Sequence, residues 1–183
     1  MIEREDAVRR VQEHLDRCFP GRMAVVEAEE HELAWVVVYQ SAQYVRTGDA
    51  EHLLAGNGPY LVDRADGRMH AIGPVDYLMG GWEDEYRARV RGLPVRTAVD
   101  DLDDGIRTSV AAHGRVFAMV ELRERIPALT PADALAYVTA LQAARPAPRR
   151  PLAVVSEALV PYREPVIKPV PQRREDAGQD GGT

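Results

Sequence analysis

The sequence contains one cysteine, Cys18, and one lysine, Lys168, in 183 residues. A single thiol forms neither an internal disulfide nor a thiolate-rich zinc centre. With its only lysine at Lys168, the chain has no phosphate loop ending in Gly-Lys-Ser/Thr. The only serines are Ser41, Ser109 and Ser156, and none lies in a Gly-x-Ser-x-Gly elbow. Gly56 and Gly58 lead into Pro59, so the Gly-x-Gly-x-x-Gly dinucleotide signature is also missing. His14, His31, His52, His70 and His113 never pair at metal-ligand spacing. No apolar run approaches 18 residues, which excludes a membrane-spanning helix. The start, Met1-Ile2-Glu3-Arg4-Glu5-Asp6, is charged where a secretory signal is apolar. A net charge of −6 argues against a nucleic-acid footprint. The expectation is a cytoplasmic protein without cofactor, metal, nucleic acid or membrane partner.

Apolar spacing divides what is there. Ile2, Val8, Val11 and Leu15 share one face of an amphipathic helix over residues 2–17. Phe19-Pro20-Gly21 ends it, because proline cannot continue a helix and glycine accepts a turn. Residues 23–28 and 33–40 read as strands. The unbroken run Trp35-Val36-Val37-Val38-Tyr39 predicts a strand buried on both faces, Trp35 and Val37 on one side, Val36 and Val38 on the other. A loop is expected after Tyr44, then a short helical or coil piece near 51–55. Residues 60–63 and 68–72 form a second hairpin about Ala65-Asp66-Gly67, where glycine accepts the positive φ the turn requires. A helix is expected within 75–91, weakened by Gly80-Gly81.

The later half is less regular. Residues 116–122 read as a strand in preference to a buried helical turn, and 152–160 as another strand. Between them Thr130, Pro131 and Asp133 cap a helix over 131–143. Asp100-Asp101-Leu102-Asp103-Asp104-Gly105 fails as a calcium loop: the third position is Leu102 and the twelfth Ala111, where a bidentate Glu is required. An acidic helix N-terminus is the better reading. Arg145–Pro151 is an extended linker. From Pro161 the tail is Pro-rich, with disorder expected from Arg173. Its segment 165–171 is either a polyproline ligand, or a terminal tether or extended strand laid over the core. The fold class is α+β: an N-terminal helix packed on a mostly antiparallel sheet, with a C-terminal helix-and-strand extension. Three segments are expected, 1–92, 93–160 and 161–183. Whether 93–160 stands alone or extends the sheet stays open.

One ordered set of residues runs through the first half. It comprises Trp35-Val36-Val37-Val38-Tyr39-Gln40-Ser41, Tyr44, Thr47-Gly48-Asp49, Leu53-Leu54-Ala55-Gly56-Asn57-Gly58-Pro59, Val62-Asp63, Asp66-Gly67, Gly73 and Tyr77. Over residues 5–90 this resembles the YrhB-like family, also called immunity protein thirty-five, of bacterial polymorphic toxin systems. The resemblance implies a small α+β domain that binds and neutralises a cognate toxin. Gly80-Gly81-Trp82 departs from the uninterrupted helix expected there.

The candidate interface follows from the same residues: Trp35, Tyr39, Tyr44, Gly56, Asn57, Gly58, Pro59, Asp66, Gly67, Tyr77, Trp82 and Tyr86. Gly56 and Gly58 permit backbone angles closed to other residues, Asn57 is placed to bond a backbone amide two residues on, and Pro59 fixes φ. This loop either holds the fold or borders a partner face. Aromatic residues anchor interfaces as well as cores, and Tyr44, Trp82 and Tyr86 have the polar neighbours expected of exposed ones. Cys18 reads as a small packed residue. The leading function is a protein-binding module, not an enzyme, whose partner is a toxin domain. A chaperone-like or regulatory protein with the C-terminal half as specificity element is the alternative. An enzyme using Asp100, Asp101, Asp103, Asp104 and His113 ranks third.

Overall fold

A computed structural model describes residues 1–171. They fall into two compact units, Met1–Pro94 with the segment beginning at Pro165, and Val95–Glu164. The disorder expected from Arg173 lies outside the described residues.

The first unit opens with helix α1, Arg4–Cys18. Glu5 and Asp6 in its first turn and Arg17 in its last suit the helix dipole. Strands β1 (Met23–Glu30) and β2 (Ala34–Ser41) form an antiparallel hairpin with a bulge between Val25 and Glu27. A second hairpin, β3 (Tyr60–Asp63) and β4 (Met69–Ile72), adds to β2. The sheet closes with β5, Ile167–Pro169, antiparallel to β4, giving the order β1-β2-β3-β4-β5. Segment 165–171 is therefore the extended strand of the two readings. Pro169 is tolerated there because β5 is an edge. The Glu85 carboxylate also accepts from the amides of Val166 (3.3 Å) and Ile167 (3.1 Å).

The apolar run of β2 is buried on both faces, as its composition requires. Trp35 and Val37 join Ala7, Val11 and Leu15 of α1, with Val62 and Met69. Val36 faces the other way, with Leu33, Leu61, Ile72, Trp82, Tyr86 and Ile167. Each fully buried Val or Leu contributes about 1.5–3 kcal/mol. The Trp35 indole donates to the Ile2 carbonyl at 3.1 Å, fixing the chain ahead of α1.

Three local expectations need correction. The loop expected after Tyr44 begins only at Gly48, because a helix not expected there, α2 (Ala42–Thr47), is capped by the Ser41 hydroxyl, which accepts from the Tyr44 amide. The Asn57 side chain donates to the Tyr39 carbonyl at 2.8 Å instead of bonding an amide two residues on. Gly58 is needed for space, not for its angle: a Cβ there would sit 1.8 Å from the Ile72 carbonyl oxygen. Gly56, at φ 81°, does use the left-handed region.

The second unit is helical: α5 (Ala98–His113), α6 (Arg115–Arg125), α7 (Pro131–Gln142) and α8 (Arg149–Leu159), preceded in the first unit by α3 (Pro74–Met79) and α4 (Trp82–Glu85). Residues 116–122 and 152–160 are thus helix, not strand. The buried set Ala118, Leu122 and Ile126 recurs every four residues, and Pro151 and Val155 do the same. Burying those positions on one stripe overrides the β propensity of Val116, Phe117, Val154 and Val155. Arg145–Pro151 is linker only as far as Pro148. Thr97 and Asp100 form a capping box on α5, and Thr130 caps α7. The Tyr137 hydroxyl donates to Asp103 at 2.6 Å, tying α7 to α5. Among the described residues, no helix is long and apolar enough to cross a membrane.

Candidate protein-binding face

The segment Gly73–Tyr86 builds a surface feature from a short helix and two glycines. Gly73 caps α3, Pro74 presets its first turn, and Asp76 suits its positive end. Gly80 (φ 75°) and Gly81 (φ 82°) then break the helix in a conformation that side chains resist. The break lets Trp82 turn inward while α3 stays out. Val75, Leu78 and Met79 are left 67%, 81% and 81% exposed. Three neighbouring large apolar side chains in water form a patch of the kind that marks an interaction site.

A rigid stack supports this ridge. The Tyr77 ring lies 6.1 Å from Trp82, and Trp82 meets Tyr86 edge-on at 6.1 Å. His31 packs on Trp82 at 4.9 Å. The Tyr86 hydroxyl donates to the Asp63 carboxylate at 3.0 Å. Asp63 also accepts from Arg91 (2.9 Å) and from the amides of Ala65 (2.7 Å) and Asp66 (3.3 Å). Burial, then the Asp63 carboxylate, pushes the Tyr86 pKa upward, so the hydroxyl stays a donor. Partial burial also raises Tyr77, and the carboxylates of Glu29, Glu83 and Glu27 raise it further. Those three acids lie within electrostatic reach of the Tyr77 hydroxyl. The arrangement presents an apolar knob, suited to an apolar socket.

The other expected residues are dispersed. Trp35 is buried against α1. Tyr39 and Tyr60 pair at 5.4 Å, both half-buried. Tyr44 is half-buried on α2, Gly56 is exposed, Asn57 and Gly58 are half-buried, and Pro59 is buried. Asp66 and Gly67 make the β3–β4 turn, where the Asp66 side chain accepts from the Arg68 amide at 2.9 Å. Of the expected set, Tyr77, Trp82 and Tyr86 come together. Trp82 and Tyr86 are buried, contrary to expectation, because the chain that follows the break at Gly80-Gly81 packs them against Leu33, Val36 and Leu61. Val75, Leu78 and Met79 were missed. Their signal was a six-residue helix with more apolar side chains than one face can bury. Cys18 is exposed, not packed, with its sulfur 3.8 Å from His14 Nε2.

The carboxylates proposed for an enzyme are engaged elsewhere. Asp100 caps α5, Asp101 and Asp104 both hold Arg96 at 2.7 Å, and Asp103 takes the Tyr137 hydroxyl. His113 sits at the far end of α5 on the Phe117 ring, roughly 13 Å of helix rise from Asp104.

The family model described as immunity protein 35 matches residues 5–89. A relative described as uncharacterized protein YrhB, from Escherichia coli (strain K12), is 31% identical over 61 residues, 33% of this chain. The chain spans 65% of the length of that curated relative. No solved structure matches. The matched region contains the ridge and its aromatic stack, and ends within the π turn Tyr86–Val90.

Proposed function

We propose that this protein is an immunity protein that neutralises a cognate bacterial toxin in the cytoplasm by steric binding, with the α3 ridge as the anchor. The observation that carries the reading is the exposure of Val75, Leu78 and Met79 within the region that the immunity protein 35 model matches. Glu27, Glu29 and Glu83, with a net charge of −6, favour a basic partner such as a nuclease domain. Occupancy, not catalysis, does the work. The buried stack under the ridge keeps it in one conformation, which lowers the ordering cost of binding.

The test begins with capture of partners from the source cells on the full-length protein, through a high-salt wash. Each captured protein is then expressed alone and with the immunity protein. One partner that arrests growth alone, and is silenced by co-expression, supports the reading. Leu78→Asp with Met79→Asp then abolishes silencing while leaving the melting temperature unchanged. A toxin silenced equally well by that variant refutes the ridge as anchor. Absence of any growth-arresting partner refutes the immunity function.

A further inference from the structure

Where β1 begins and β2 ends, Met23 and Ser41 face each other across the first hairpin. At that end of the sheet lies a pocket of about 320 Å³, walled by residues 21–23, by α2 and by residues 52–54. Its three walls are tied together. The Arg22 carbonyl accepts from the Ala42 amide at 2.9 Å. The Ser41 hydroxyl donates to the His52 carbonyl, and Gln43 Nε2 lies 2.6 Å from His52 Nε2. The Gln40 side chain donates to the Leu54 carbonyl at 3.0 Å and accepts from the Leu54 amide. These bonds hold the pocket in one shape before any ligand arrives, which lowers the ordering cost of binding.

The charge of the lining points to an occupant. Arg22 and Arg46 both line the pocket, and no Asp or Glu does. Neither arginine makes a side-chain hydrogen bond or an ion pair among the described residues, whereas Arg64 and Arg87 of the same unit are held by Glu30 and Glu32. In a chain of net charge −6, a carboxylate-free pocket with two uncommitted guanidinium groups is a local positive field that draws anions. The number of arginines selects the anion. One guanidinium already meets both oxygens of a carboxylate. A phosphate monoester carries a charge of about −1.5 to −2 at pH 7 and three acceptor oxygens, enough for two. The rest of the lining is apolar: Met23, Ala42 and Leu54 offer a surface to the organic group of such an ester. The volume falls at the lower end of the range of small-molecule sites, about 300–1,000 Å³.

We infer that this pocket binds a small phosphate monoester, with Arg22 and Arg46 on the phosphate and the organic group against Met23 and Leu54. Both arginines are exposed, so their side chains turn onto the ligand without breaking any contact of the fold. No residue of the pocket belongs to the α3 ridge, so the site stands independently of toxin binding.

Isothermal titration calorimetry of the full-length chain with phenyl phosphate, inorganic phosphate and benzoate tests this. Phenyl phosphate should bind at one site with a Kd of about 1 mM or lower. Inorganic phosphate should bind more weakly, having no organic group, and benzoate at least about tenfold more weakly, since one guanidinium suffices for it. Arg22→Gln and Arg46→Gln should each weaken phenyl phosphate at least about tenfold, and the double variant should abolish binding, all with unchanged melting temperature. Arg89→Gln, at an exposed and unpaired arginine elsewhere in the unit, should bind like the wild type. Four results overturn the proposal: no binding of phenyl phosphate at about 10 mM, benzoate or inorganic phosphate binding as tightly as phenyl phosphate, a double variant that binds like the wild type, or an equal loss in Arg89→Gln, which would mark mere attraction to surface charge.

Discussion

Removing the Asp63 carboxylate is the sharpest perturbation of the candidate face. Asp63 is 1% exposed and accepts from Tyr86, Arg91 and two backbone amides. Asp63→Ala deletes all four acceptor contacts. It leaves the Tyr86 hydroxyl buried without a partner and the Arg91 guanidinium unpaired. Breaking a buried pair from one side costs about 3–5 kcal/mol. Tyr86→Phe removes one donor and leaves Asp63 its other three, so the cost is about 1.5 kcal/mol. For a unit of this size Asp63→Ala should lower the melting temperature on the order of 20 °C. Both tryptophans, Trp35 and Trp82, lie in the first unit, so tryptophan fluorescence during urea unfolding reports that unit alone. The ridge rests on Tyr86 through Trp82 and Tyr77, so Asp63→Ala should also weaken partner binding, whereas Tyr86→Phe should not. If Asp63→Ala costs no more than Tyr86→Phe, the carboxylate is not the hub and the account of the stack is wrong.

Gly58→Ala should cost about 3 kcal/mol or prevent folding, since its Cβ would overlap the Ile72 carbonyl, whereas Gly56→Ala meets open space and should cost only about 1–2 kcal/mol for its left-handed angle. Urea midpoints of the two variants separate these causes. Thr97→Ala should lower second-unit stability by about 1 kcal/mol, read as loss of helical ellipticity on heating, because the capping box on α5 is lost. Burial holds His70 below its ordinary value of 6.5, aided by Arg68 and opposed by Asp63 and Asp66. The folded state therefore prefers the neutral ring. First-unit stability should be complete above pH 6.5 and decline as the pH falls further, and His70→Phe should flatten that slope. Hydrogen bonds hold Asp100 and Asp104 below their ordinary 3.8, from Thr97 and Arg96 respectively. Their contribution is present above that value and is lost as the pH drops through it, so second-unit helicity should fall in that acid range.

Local chemistry sufficed for much of the first unit. The valine run, the Asp66-Gly67 turn and the period of α1 act within a few residues, and the hairpins and the two-faced burial of β2 follow from them. Thr130-Pro131 likewise decided where α7 begins. The order of residues 35–77 carried the family resemblance on which the functional reading rests. Tertiary structure decided the rest. Val116–Leu122 and Leu152–Val160 have strand-forming composition, and only the need to bury Ala118, Leu122 and Val155 in one helical core made them helices. The second partner of β4, strand β5, lies nearly a hundred residues away in sequence, beyond the whole second unit, and no local pattern encodes that pairing. Trp82 and Tyr86 carry polar neighbours in sequence and yet are buried, because two glycines break the helix and the chain beyond them packs on the sheet. The same break leaves Leu78 and Met79 in water. The aromatic residues expected at the surface thus support the site, and the aliphatic ones expected inside form it, since exposure depends on the path of the backbone and not on the identity of a side chain's neighbours.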